Sequence, residues 1–185
     1  MIDDYLQDAR ERMHKSVDAT RTTFGSVRTG RASPALLDRI TVDYYGTQTP
    51  LKQLATIHAA EARLLTIQPY DKSAMRAIER AIQESDLGLT PNNDGSIIRL
   101  QIPDMTEERR REMVKVARHL AEEGRVAIRN IRRDVMHDLR ELRDAGEIGS
   151  DDEHRGEQSL QKLTDERIQE IDAALKGKET EILEV

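Results

Sequence analysis

The chain has no cysteine, no tryptophan and a single phenylalanine in 185 residues. Without thiols there are no disulfides, no thiolate metal sites and no cysteine nucleophile, which fits a reducing compartment. Aromatics at 3% leave little with which to build a stacking platform for single-stranded nucleic acid. No apolar stretch approaches the ~20 residues of a membrane-spanning helix. The start, "MIDDYLQDARERMHK", lacks the apolar core of a signal peptide. A cytoplasmic protein with no membrane association is expected. Proline is missing from two long segments: Pro34, Pro50, Pro69, Pro91 and Pro103 are all five of them, and all fall between residues 31 and 104. Proline removes a donor and clashes with the preceding turn, so the proline-free segments 1–30 and 105–185 are where long helices can run.

Charge is abundant instead. Charged residues make up 35% of the chain, hydrophobic ones only 37%, and the net charge is -6. That mixture suits long, surface-rich helices better than a thick core. In the first segment Ile2, Leu6, Ala9, Met13, Val17, Thr20, Phe24 and Val27 step by three or four, the seam of an amphipathic helix. Gly30 is placed to end it in the left-handed conformation, and Pro34 prevents its resumption. A second helix opens with Thr106 as N-cap and glutamates in its first turn. Its seam is read as Met113, Val116, Leu120, Gly124, Ala127, Ile131, Val135, Leu139 and Leu142. After "DAGEIGSDDE", where Ser150 and Glu153 match a capping box, a third helix carries Leu160, Leu163, Ile168, Ile171, Leu175 and Ile182. One apolar stripe per helix predicts a three-helix bundle.

Residues 31–104 read differently. "RITVDYYG" and "LLTIQPYD" are strand-like, "KSAMRAIERAIQESDLG" is a short helix, and Asp94-Gly95 turns into a strand through Ile97, Ile98, Leu100 and Ile102. The expected fold class is therefore α+β, with a small β-rich domain (31–104) inserted into a bundle (1–30 and 105–185). Two short connections, near residues 30–34 and 103–105, would act as hinges.

No HExxH, phosphate-binding loop, GxGxxG or GxSxG is present, and His14, His58, His119, His137 and His154 are scattered. Ser33 has no base partner, and the acids of "SDDEH" suit a helix N-terminus. No catalytic residue, metal or cofactor is expected. The unusual feature is "RVAIRNIRRDVMHDLR" (125–140), with five arginines in sixteen positions of an acidic chain. With Ile131 at zero on a helical wheel, Arg125, Arg129, Arg132 and Arg133 fall at about 100° to 200°, beside the apolar seam. Arg111, Lys115, Arg118, Arg140 and Arg143 share that sector; Glu122 is the main acid in it. Like charges at i,i+4 (Arg125/Arg129, Arg129/Arg133) oppose the isolated helix. That points to an external anion, and arginine forks suit phosphate. Structured RNA is the favoured partner. The alternative is a helical adaptor that binds an acidic protein through the same flank.

Several motifs in order carry a resemblance: "RTGRASP" (28–34), "DYYGTQTPLKQLA" (43–55), "SDLGLTPNNDGSIIRLQIP" (85–103), "MTEERRRE" (105–112), "VAIRNIRRD" (126–134) and "KLTDERIQEID" (162–172). Over essentially its whole length the chain resembles the bacterial ribosome recycling factor family, departing from it at Met105, where leucine is common, and at Gln48. The resemblance implies an L-shaped, transfer-RNA-sized monomer. It implies that the protein works with elongation factor G and GTP to split the post-termination ribosome, freeing messenger and deacylated transfer RNA. It implies no nucleotide site or enzymatic activity of its own. It places contacts to large-subunit ribosomal RNA at Arg28, Arg31, Arg129, Arg132 and Arg133. The inserted domain and the joint, Gly30, Ala32, Ser33 and Pro34 with Pro103, Asp104 and Met105, would face elongation factor G.

Overall fold

A computed structural model describes residues 1–184. In chain order it contains helix α1 (Ile2–Gly25), a 3-10 turn (Pro34–Leu37), strands β1 (Thr41–Tyr44) and β2 (Thr47–Pro50), one helical turn α2 (Leu51–Leu54), strands β3 (Ala55–Glu61) and β4 (Leu64–Pro69), helix α3 (Met75–Glu84), strands β5 (Pro91–Asn93) and β6 (Ile98–Gln101), and the long helices α4 (Glu107–Asp144) and α5 (Ser150–Leu183). The fold class is α+β. Two compact units emerge, one of Met1–Phe24 with Val114–Glu181, the other of Gly25–Met113 with the residues from Ile182.

The first unit is three helices around one apolar seam. From α1 come Ala9, Met13, Val17 and Phe24; from α4 Ala121, Ile128, Ile131 and Val135; from α5 Leu160, Leu163 and Ile171. The expected seam of α4 needs correction in its first half. The buried row is Val114, Ala117, Ala121, Gly124, Ile128, Ile131, Val135 and Leu139, while Val116 is 42% exposed. The small residues Ala117, Ala121 and Gly124 turn inward because they let the helices approach closely. Helix ends follow local chemistry. Thr106 Oγ1 accepts from Arg109 N at 3.1 Å, the expected cap. At the other end of α4, Gly146 (φ 74°) closes a Schellman turn, with Glu147 N donating to Leu142 O and Gly146 N to Arg143 O, both at 2.9 Å. Two expectations fail here. Helix α1 stops at Gly25 rather than Gly30, so the left-handed Gly30 (φ 81°) bends the connection and does not end the helix. Ser150 and Glu153 form no capping box: Glu153 N donates to Gly149 O, and its carboxylate takes Arg143 Nη1 at 2.8 and 3.0 Å. A cross-helix cation holds that acid more strongly than a cap would.

The second unit packs α3, through Met75, Ile78 and Ile82, against an antiparallel sheet of order β3-β4-β6-β5. Leu65, Ile67, Ile98 and Leu100 supply the inward face, since strand side chains alternate and only one face is covered. A separate β1–β2 hairpin adds Val42 to that core. Tyr44 pairs with Thr47, which leaves Tyr45-Gly46 as a two-residue turn with φ of 50° and 81°. Both signs match a type I′ turn, where glycine, asparagine or aspartate is usual. A tyrosine held there costs about 1–3 kcal/mol.

The β5–β6 turn supports a pH prediction. Asp94 Oδ1 accepts from Ile97 N at 2.9 Å and Ser96 N at 3.0 Å, and its carboxylate pairs with Arg99. These contacts, the Ile97 N–H first, hold the carboxyl at about 2, below its ordinary 3.8. A depressed folded pKa gives stability that is complete above the unfolded value and disappears as pH falls from about 4 toward about 2. Asp94→Asn keeps an accepting oxygen but not the charge. Wild type should therefore exceed it in urea midpoint at pH 6, and the gap should narrow below about pH 4 and close only as pH falls to about 2; a gap of constant size would show that the charge contributes nothing.

Candidate nucleic-acid interface

The cationic flank of α4 is realised with its anions attached. Arg125, only 19% exposed at the side chain, donates from Nε to Asp172 Oδ1 of α5 at 2.8 Å and from Nη1 to Glu122 at 3.1 Å. Burial works against its charge, but Asp172 and Glu122 outweigh it, and its pKa is raised. Arg129 takes the other oxygen of Glu122 at 3.2 Å. Hydrogen bonds from Arg125 and Arg129 in turn lower the Glu122 pKa. Arg118 pairs with Glu179 at 2.7 Å and Arg140 with Glu157 at 3.9 Å, both acids on α5. Arg111 pairs with Glu107 within α4 at 2.6 Å. The mutual repulsion read from the i,i+4 spacing is thus relieved by Glu122 and by α5, whose register against α4 is invisible in the one-dimensional pattern.

Two members differ. Arg132 Nη1 reaches a neutral group, Gln161 Oε1, at 2.9 Å, and its Nε is buried with no partner. Arg133 is exposed and has no ion pair or side-chain hydrogen bond among the described residues. Arg132, Arg133 and Arg140 line one open depression on α4 with His137. So the structure brings Arg129, Arg132 and Arg133 onto successive turns of one helix. Among the described residues, Arg129 alone of these three meets an internal anion.

Arg28 and Arg31 belong to the second unit. The Arg28 guanidinium donates to the Leu87 carbonyl and, at 3.4 Å, to that of Asp86; the Arg31 side chain has no partner among the described residues. Both line a mostly apolar recess of about 350 Å³ with Leu36, Leu89, Ile102 and Met105. The neighbouring connections are tied down locally. Ser33 Oγ accepts from Ala35 N at 3.3 Å and caps the 3-10 turn that begins at Pro34. Ala32 N donates to Ala62 O at 2.7 Å, Ile102 N donates to Arg63 O at 2.8 Å, and the Arg63 guanidinium pairs with Asp104 beyond Pro103. A single tight turn, Ala62-Arg63 between β3 and β4, therefore holds both connections. The sequence carries no signal for it, because that turn has neither glycine, proline nor asparagine.

Among the described residues no group of three or more His, Asp or Glu side chains is arranged to hold a metal ion, and no helix is long and apolar enough to cross a membrane. The family described as ribosome recycling factor matches residues 20–183. This chain belongs to the ribosome recycling factor family. It is 59% identical to the ribosome-recycling factor of Rubrobacter xylanophilus, over 97% of each chain. It is 56% identical to that of Acidothermus cellulolyticus over the whole of both. The solution structure of a ribosome recycling factor superposes with a TM-score of 0.81 at 41% identity, covering 100% of this chain and 98% of that one. A structure of the T. thermophilus ribosome recycling factor and the E. coli elongation factor G bound to the E. coli post-termination complex gives 0.71 at 44% identity, covering 99% of each chain. In this recycling-factor chain the cations read from the sequence divide between units, Arg129, Arg132 and Arg133 in the first, Arg28 and Arg31 in the second.

Proposed function

We propose that this ribosome recycling factor family member binds large-subunit ribosomal RNA through Arg133, Arg132 and Arg129, with Arg28 and Arg31 as further contacts. Together with elongation factor G and GTP it then separates the subunits of the post-termination ribosome. The observation that carries this reading is Arg133, an exposed arginine without an internal anion, beside Arg132 on a helix stiffened by two packed neighbours. Guanidinium groups held this way meet phosphate with little entropy left to lose. The relative seen on a post-termination complex with elongation factor G supports the same partners. In this reading Gly30, Ala32, Ser33 and Pro34 with Pro103, Asp104 and Met105 are the joint. In this reading GTP hydrolysis is the partner's step.

The direct test mixes purified post-termination ribosomes, elongation factor G, GTP and this protein and follows light scattering. Scattering should fall as subunits part, and omission of any component should abolish the fall. Persistence of intact ribosomes would refute the reading. The Glu122 bridge gives a gain-of-binding prediction. Glu122→Gln releases Arg129 from the one anion it meets among the described residues, whereas Arg125 keeps Asp172. Ribosome binding should tighten at low salt and its log–log salt slope steepen by about 0.7 to 0.9, the value of one more phosphate contact. Pelleting across a salt series measures both, and an unchanged slope would show that Arg129 meets no phosphate.

A further inference from the structure

The ion pairs between α4 and α5 follow one antiparallel register. Arg118 meets Glu179; seven residues on stands Arg125, and seven back stands Asp172, which Arg125 meets at 2.7 Å. Fifteen residues further on comes Arg140, and fifteen further back Glu157, paired at 3.9 Å. The same step of seven sets Arg132 opposite Asp165. Here the ladder breaks. Among the described residues Arg132 and Asp165 form no ion pair, although both helices run unbroken through these positions. Gln161, one turn before Asp165, stands between them. Its Oε1 accepts from Arg132 Nη1 at 2.9 Å, and its Nε2 donates to Asp165 Oδ1 at 2.8 Å. One neutral amide thus engages the arginine and the acid at once.

We infer that Gln161 is a positioning residue that insulates Arg132 from Asp165, and so keeps a full positive charge of α4 available to ribosomal-RNA phosphate. The inference rests on the phosphate-binding role proposed above for Arg132. Its physical basis is a competition. An arginine held by a carboxylate must give up that ion pair or carry the negative charge to the phosphate, so it adds little to counterion release. A carboxamide accepts the same hydrogen bond without charge, and it fixes a long side chain that would otherwise lose rotamer freedom on binding. With Nη1 committed, the planar fork still has donors for a second acceptor. A glutamine that merely joined α4 to α5 could be replaced by an acid. Acids fill that role at Arg118, Arg125 and Arg140; only Arg132 of this ladder is bonded to an amide instead.

The test combines ribosome pelleting across a salt series with urea unfolding, on three variants. Gln161→Ala removes the amide and lets Arg132 reach Asp165. Its log–log salt slope should flatten by about 0.7 to 0.9, a loss of roughly five- to eightfold in affinity near 0.1 M salt, while the urea midpoint holds or rises with the new ion pair. Gln161→Ala combined with Asp165→Asn removes the competing charge and should restore the wild-type slope. Asp165→Asn alone should leave the slope unchanged, because Gln161 already separates the two groups; a steeper slope would show that the acid reaches Arg132 and that no insulation exists. A wild-type slope in Gln161→Ala, or a flattened slope that Asp165→Asn does not restore, would overturn the insulation and leave Arg132 in the interface. A slope unmoved by replacing Arg129, Arg132 and Arg133 together would remove the interface and this inference with it.

Discussion

With Arg129, Arg132 and Arg133 all replaced by glutamine, the log–log salt slope of ribosome binding falls by about 2 to 3, at about 0.7 to 0.9 for each phosphate left without its cation. The drop in affinity is largest in dilute salt and shrinks as salt rises, because the missing contribution is counterion release. Glutamine keeps the aliphatic stem and a neutral donor, although it ends two atoms short of the Nη1 that bonds Gln161 on α5. Each surface exchange should alter stability by no more than ~0.5 kcal/mol. Co-sedimentation across a salt series, alongside urea unfolding, separates the two effects. An unchanged slope with intact folding would remove these arginines from the interface. A lost fold would show that their role was to hold the helices.

The second large effect lies in the bundle. A Cβ added at Gly124 would stand 2.5 Å from Thr20 Oγ1, 3.2 Å from Thr20 Cγ2 and 3.1 Å from Ile171 Cδ1. Thr20 cannot simply rotate away, because its hydroxyl donates to Ser16 O at 3.0 Å. Overpacking of this kind costs about 1–3 kcal/mol, against about 1 kcal/mol of helix propensity gained by alanine. Gly124→Ala should therefore lose up to about 2 kcal/mol by urea unfolding. In a Thr20→Ala background both Thr20 atoms are gone, and the same exchange should become neutral or stabilising. The double-mutant cycle should return a coupling of about 2 kcal/mol. Simple additivity would mean that the helices shift apart at little cost.

The three long helices are legible in the sequence because proline is absent from them and apolar residues recur every third or fourth position. The inward row of α4 departs from the expected Val116 and Leu120 because bulk looks like core. Close helix approach instead selects the smaller Ala117, Ala121 and Gly124. Strand β3 has no clear signature, since "ATIHAAE" is mostly exposed and rich in alanine, a residue poor in strand preference. The arginines of the candidate interface stand out in the sequence, but the acids that answer them do not. Asp172, Glu157 and Glu179 lie on another helix, and which of them meets which arginine depends on the register of two elements. Arg63 gives no hint at all: its importance comes from an ion pair and a backbone carbonyl, and neither has a sequence signature.

That a single turn grips the chain on both sides of the β-rich unit bears on how the bundle assembles. Helices α1 and α4 are separated by roughly 80 residues, and closing a loop that long opposes their meeting with an entropy that grows as the logarithm of its length. Once Ala32 and Ile102 are fastened to Ala62 and Arg63, only about ten residues remain outside the tether, which lowers that barrier by about 2 kcal/mol. The module would thus serve as a folding chaperone in cis for the very helices it interrupts.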